Sequence, residues 1–138
     1  MGALVLFDFE KTDLGQLCRK LNRETATLLQ QLPRRAAETA DNLQRAAKSM
    51  GRNAAEGWGK WQIADKIRYF QTTRGSGTEY IAALNELVDY GYATQEQTER
   101  ARDLAQQIVA SIIGLIRYFE KQPPRPKPGS SSRKGRTS

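Results

Sequence analysis

Four times between residues 14 and 119 the chain spaces mostly small or apolar residues alternately three and four apart. The first series is Leu14, Cys18, Leu21, Thr25, Leu28 and Leu32. The second runs Ala36, Ala40, Leu43, Ala47, Met50, Ala54 and Gly57, and the third Ile63, Ile67, Phe70, Arg74, Gly77, Ile81, Leu84 and Val88. The fourth is Ala101, Ala105, Ile108, Ile112, Leu115 and Phe119. A stripe of this period lies on one side of a helix and has no counterpart in the two-residue alternation of strands, so four amphipathic helices meeting at shallow angles are predicted.

The punctuation agrees. Pro33 divides the first two segments, "EGWGKW" the second and third, and "DYGYAT" the last two. In "DYGYAT" Gly91 is a C-terminal stop, and Thr94 is an N-cap three residues before Gln97. Short connections make consecutive helices antiparallel neighbours, so the predicted fold is all-α, an up-down-up-down antiparallel four-helix bundle over residues 12–121. Residues 1–11 are read as an extended N-terminal segment.

Residues 122–138 are read as a disordered basic tail. They hold four of the five prolines, several serines and no large apolar residue, and so cannot bury enough surface to fold alone. The tail also carries five bases and no acid, while the rest of the chain has 17 bases against 15 acids. Most of the net charge of +7 therefore resides in the tail. Within the body, Arg19 to Arg74 holds 12 bases and 5 acids, and Gly75 to Glu120 holds 3 bases and 7 acids. One half is basic and the other acidic.

The chain has no histidine and one cysteine. This removes histidine-based triads, most transition-metal sites and any disulfide within one chain; neither metal nor cofactor is expected. Cys18 falls on the first stripe and is read as a small buried hydrophobe rather than a nucleophile. The opening "MGALVLFDFEK" has too short an apolar run for a signal peptide or membrane span, and Leu6 stands where an acylation signal wants Ser or Thr. A cytosolic protein is expected. Val109, Ile113 and Ile116 give the fourth helix apolar surface beyond its stripe. A subunit interface is the preferred cover, with the N-terminal "ALVLFDF" as the alternative.

"SMGRNAAEGWGK", Ser49 to Lys60, resembles the signature Ser-Ile-Pro-x-Asn-Ile-Ala-Glu-Gly-x-Gly of the four-helix-bundle proteins of bacterial 23S ribosomal RNA intervening sequences. Ser49, Asn53, Ala55, Glu56, Gly57 and Gly59 match, whereas Met50 and Gly51 replace the usual Ile and Pro. A second block, "IRYFQTTRGSGTEYIAALNELVDYGY", supplies Arg74, Gly75, Ser76, Glu79, Gly91 and Tyr92 at the matching positions. The resemblance spans roughly residues 12 to 121, and the family is related to accessory variability determinants of diversity-generating retroelements. It implies a cytosolic bundle that assembles as a homopentameric ring, with nucleic acid as partner and, for retroelement members, a reverse transcriptase beside it. It supplies no catalytic residues.

Arg74 lies on the third stripe, where a buried charge needs a partner. Glu56 and Glu79 are the expected partners, with Asn53 and Ser76 completing a polar cluster that joins the two blocks. The same carboxylates could instead form a ligand or catalytic site. Gly75 and Gly77 are read as permitting close helix approach, and Gly57 and Gly59 as turning the chain after helix two. "EGWGK" lacks the preceding strand and the Gly-Lys-Ser ending of a phosphate-binding loop.

Arg45, Lys48 and Arg52 recur at helical spacing, which fits either a solvated face or, repeated around a ring, a surface for phosphates. Arg19, Lys20, Arg23 and Lys60 extend the candidate nucleic-acid surface, and Arg125, Lys127, Arg133, Lys134 and Arg136 add a basic arm. The tail also reads as an inert end or, through "PPRPKP", as a segment docking an aromatic groove. Trp58, Trp61, Tyr69 and Phe70 cluster in sequence around the second break; most are expected in the core, although base stacking is open to them. The sequence thus leads to a non-enzymatic nucleic-acid-binding oligomer, with a scaffold for a partner protein as the alternative.

Overall fold

The computed structural model describes residues 8–127, and among them all regular structure is helical. Residues 8–11 form a helical turn, not the extended segment expected of them. Four long helices follow: α1 (Asp13–Gln31), α2 (Ala37–Gly59), α3 (Ile63–Asp89) and α4 (Gln95–Glu120). A 3-10 turn, Arg34–Ala36, leads into α2 from Pro33. None of these helices is long and apolar enough to cross a membrane.

The helix ends follow local chemistry. Thr12 caps α1 by accepting from the Gly15 amide at 3.0 Å. After α3, Gly91 adopts φ 72°, which lets the Tyr92 amide reach back to the Leu87 carbonyl at 2.8 Å and the Gly91 amide to Val88 at 3.0 Å. This is the left-handed termination that glycine accommodates without a Cβ penalty. Thr94 and Gln97 then form the expected capping box of α4.

α2 packs on α3, α3 on α4, and α1 on both α2 and α4. Thr39 meets Glu86 at 3.4 Å and Ser49 meets Ser76 at 2.6 Å, so α2 and α3 run in opposite directions. The core between them holds Leu21, Leu28, Leu43, Met50, Phe70, Tyr80, Leu84, Leu87, Ile108 and Ile112, nearly all fully buried.

The stripe on α3 departs from the sequence expectation. Its buried positions are Ile63, Phe70, Gly77 and Leu84, as read, alternating with Lys66, Thr73, Tyr80 and Leu87. The expected Ile67, Ile81 and Val88 are half-buried at the margin, and Arg74 is exposed. Lys66, Thr73 and Tyr80 can be buried because nearby carbonyl or hydroxyl oxygens satisfy them. Thr73 Oγ1 donates to the Tyr69 carbonyl at 3.2 Å, and Tyr80 meets Thr25 Oγ1 at 2.7 Å. Arg74 in the same place would bring a guanidinium whose donors demand a carboxylate.

Two glycines act differently from their reading. Gly57 lies inside α2, where a Cβ would sit 2.7 Å from the Phe70 ring, so it is a packing residue and not a turn. Gly75 faces open space, and only Gly77 of the pair is at a close approach, against Val109. On α4, Val109 and Ile113 are half-buried, but Ile116 enters the core. Phe9 is buried beside Trp58, with ring centroids 6.2 Å apart, so the described end of the N-terminal segment covers α1 and α2. Residues 1–7 lie outside the described residues.

Candidate nucleic-acid interface

The predicted core cluster of Arg74, Glu56 and Glu79 does not form. All three are exposed; Glu56 pairs with Lys60 at 3.8 Å, one turn along the same helix. The two sequence blocks meet instead through Ser49 and Ser76, whose hydroxyl oxygens are 2.6 Å apart. Asn53 Nδ2 donates to the Ser49 carbonyl at 2.9 Å and to its Oγ at 3.1 Å. Short neutral groups can bridge two helices without the desolvation cost of a buried ion pair.

The basic residues of α1 and α2 divide among three grooves. Between α1 and α2, a cavity of about 430 Å³ is lined by Arg19, Lys48 and Arg52, with Glu10 the one acid beside them. Gly51 and Ala55 belong to the same lining. A Cβ on Gly51 would stand 3.8 Å from Cys18 Cβ, so the missing side chain keeps this groove open next to the core. Arg19, Lys48 and Arg52 are exposed and enter no ion pair among the described residues. Burial pushes the adjacent Cys18 thiol up to about 12, which keeps it protonated and unreactive near neutrality.

Arg45 lines a different groove, of about 770 Å³, between α2 and α3, together with Ser49, Ser76, Glu79 and Glu86, and it donates to Asn42. The outer face of α2 is therefore split between one basic groove and one of mixed charge. Lys20 faces α4 beside Asp13 and Gln107. Arg23 is simply exposed on α1.

A second concentration of positive charge lies where α2 turns into α3. Lys60 Nζ stands 5.2 Å from the Tyr69 ring centre, and the Arg68 guanidinium also stands 5.2 Å from it. Arg125, expected in a disordered tail, has its guanidinium 4.9 Å from the Trp61 ring and 6.0 Å from that of Phe119. It donates to the Trp61 carbonyl at 3.3 Å, while Trp61 Nε1 donates to the Pro126 carbonyl. Residues 122–127 are therefore docked on the helices by cation–π contact and hydrogen bonds. Lys127 ends the described residues, and Arg133, Lys134 and Arg136 lie outside them. Of the four aromatics at this break, Phe70 is buried, Trp58 and Tyr69 are half-buried, and Trp61 is exposed.

The sequence reading missed Lys66. Its ammonium donates to the carbonyls of Trp58 at 2.7 Å and Gly57 at 3.3 Å, at the C-terminal end of α2 where unpaired carbonyls favour a cation. Burial, with Arg125 nearby, holds its pKa below the ordinary lysine value. The seven-residue spacing of Lys66, Thr73, Tyr80 and Leu87 was the available signal. Among the described residues, no three metal-ligating side chains come together in a cluster able to hold an ion.

The model of the 23S rRNA-intervening sequence protein family matches residues 10–114. The chain belongs to that family. No curated protein matches the chain. The family match takes in both sequence blocks, the Ser49–Ser76 bridge and the α1–α2 groove, but ends before Tyr118, Phe119 and Arg125. The docked arginine and its proline-rich surroundings thus lie beyond the matched region.

Proposed function

We propose that this 23S rRNA-intervening sequence protein is a non-enzymatic, cytoplasmic nucleic-acid-binding accessory protein that holds RNA or DNA by its phosphates. The observation that carries this reading is the convergence of Arg19, Lys48 and Arg52 on one groove with no ion-pair partner among the described residues. Unneutralised bases along a groove attract a phosphate backbone irrespective of base sequence, and release of its counterions makes the affinity fall with salt. The family membership supports an RNA-related role. Glu56 and Glu79, on which an enzymatic reading depends, are both exposed, and Glu56 turns to Lys60.

In this proposal the four helices make an up-down-up-down bundle, and five copies close a ring that multiplies the groove. Ile81, Val109 and Ile113 line an apolar groove of about 360 Å³ between α3 and α4, which supports a contact between copies. The same groove favours a second reading, in which the ring is a scaffold for a partner protein such as a reverse transcriptase and holds no nucleic acid.

Two measurements test the proposal. Labelled RNA and DNA should shift in a gel at low ionic strength and lose the shift as salt rises; no shift on either ends the nucleic-acid reading. Light scattering should give a mass five times that of the chain, and a monomer mass ends the ring.

A further inference from the structure

The end of the molecule where α2 turns into α3 presents an aromatic surface charged in a way the fold does not require. Trp61, in the turn, keeps 49% of its surface in solvent, and Tyr118, beside Phe119 at the end of α4, keeps 57%. Together they leave two large aromatic rings accessible at this end of the molecule. Arg125 already lies over Trp61, and the Trp61 Nε1 edge is taken by Pro126. About half of the Trp61 residue nevertheless remains in solvent, so holding the chain's own 122–127 segment does not cover it. Lys60 and Arg68 sit over neighbouring Tyr69, and among the described residues their acidic partners are Glu56 at 3.8 Å and Asp65 at 2.9 Å. Arg125 adds a further charge that pairs with no carboxylate among the described residues.

We propose that Trp61, backed by the Arg125 guanidinium, is a stacking platform for an unpaired base of single-stranded nucleic acid, with Lys60 against the adjoining phosphate. An indole offers a base a flat π-face, and a guanidinium stacked behind it strengthens the arrangement. A duplex keeps its base faces inside the helix and gains nothing from the indole, so the platform selects single strands. The inference rests on the nucleic-acid reading and adds to it the strand form and the residue that selects it. The α1–α2 groove supplies phosphate attraction that duplex and single strand share; the platform supplies the difference.

The unaltered chain, its Trp61→Ala and Trp61→Phe variants, and a Trp58→Phe variant in which Trp61 is the sole tryptophan would be titrated at low salt. The probes are short oligouridylate, oligothymidylate and a duplex of equal length. Trp61→Ala should weaken both single strands roughly ten- to hundredfold, leave the duplex within about twofold and keep the salt slope; Trp61→Phe should restore most of the loss. In the Trp58→Phe protein, single strands should quench the Trp61 fluorescence and the duplex should not. This second readout decides the matter if Trp61→Ala does not fold. Equal weakening of single strand and duplex, or none in either together with no quenching, overturns the platform and means that Trp61 serves only to hold the 122–127 segment. If the unaltered protein binds neither form, the nucleic-acid reading falls and the platform with it; if it binds while Trp61 is indifferent, only the platform falls.

Discussion

Ser49 Oγ and Ser76 Oγ lie 2.6 Å apart across α2 and α3, while Arg74, two residues before Ser76, points into solvent. The register of these helices is therefore marked by a neutral hydroxyl pair. Ser76→Ala removes one hydrogen bond but leaves Ser49 held by Asn53, so it should cost about 1 kcal/mol in urea unfolding. Arg74→Met should stay within about 0.5 kcal/mol, as exposed substitutions do. The reverse order would place Arg74 in the core after all.

Gly57 and Gly75 should respond oppositely to alanine. At Gly57 the new methyl would meet the Phe70 ring, itself fully buried and without room to turn aside. Thermal unfolding of Gly57→Ala should show a loss of about 1–3 kcal/mol, the usual effect of overpacking. Gly75→Ala meets nothing within 4 Å in an exposed helical position and should gain about 0.5–1 kcal/mol. Equal effects would mean that helix propensity alone governs both sites.

How far the sequence discloses this molecule depends on which residues carry the signal. The stripes on α1 and α2 are almost wholly apolar, and the structure buries them much as spacing predicts. On α3, Ile67, Ile81 and Val88 compete with Lys66, Thr73 and Tyr80 for the core, and hydrophobicity alone favours the former. The polar set is buried because Gly57, Trp58, Tyr69 and Thr25 offer oxygens in the right places, and such partners become visible only once the helices are packed. The basic groove was legible in part: Lys48 and Arg52 are found together, and Arg19 joins them from α1, but Arg45 lines another groove. Docking of Arg125 on Trp61 was hidden for a different reason, since composition describes a segment's average and not one guanidinium meeting two rings.

Tyr80 should reveal its burial through pH. Loss of solvation, with a smaller contribution from Glu24 and against the opposing Thr25 hydrogen bond, pushes its hydroxyl from 10.0 up to about 12. Between those values the unfolded chain has released the proton and the folded chain has kept it, so the Tyr80 contribution to stability is complete below pH 10 and is lost as pH rises toward 12. Tyr80→Phe leaves Thr25 bonded to the Leu21 carbonyl and should cost about 1 kcal/mol near neutrality. The gap between the two proteins should then narrow above pH 10 in chemical denaturation. A gap that stays constant to pH 12 would mean that Tyr80 ionises as freely folded as unfolded.

Removing charge from the α1–α2 groove should change how binding depends on salt. If Arg19, Lys48 and Arg52 each hold a phosphate, single alanine substitutions should weaken RNA and DNA alike and reduce the slope of log affinity against log salt by about one each. Arg74→Met removes the same formal charge from an exposed site on α3 outside that groove and serves as the control. Its slope should match that of the unaltered protein. The comparison works because a diffuse attraction depends on net charge, whereas a seated backbone depends on where the charge is. Should Arg74→Met lower the slope as much as any groove variant, the attraction follows the net charge of the chain, and the groove between α1 and α2 has no special claim on the phosphates.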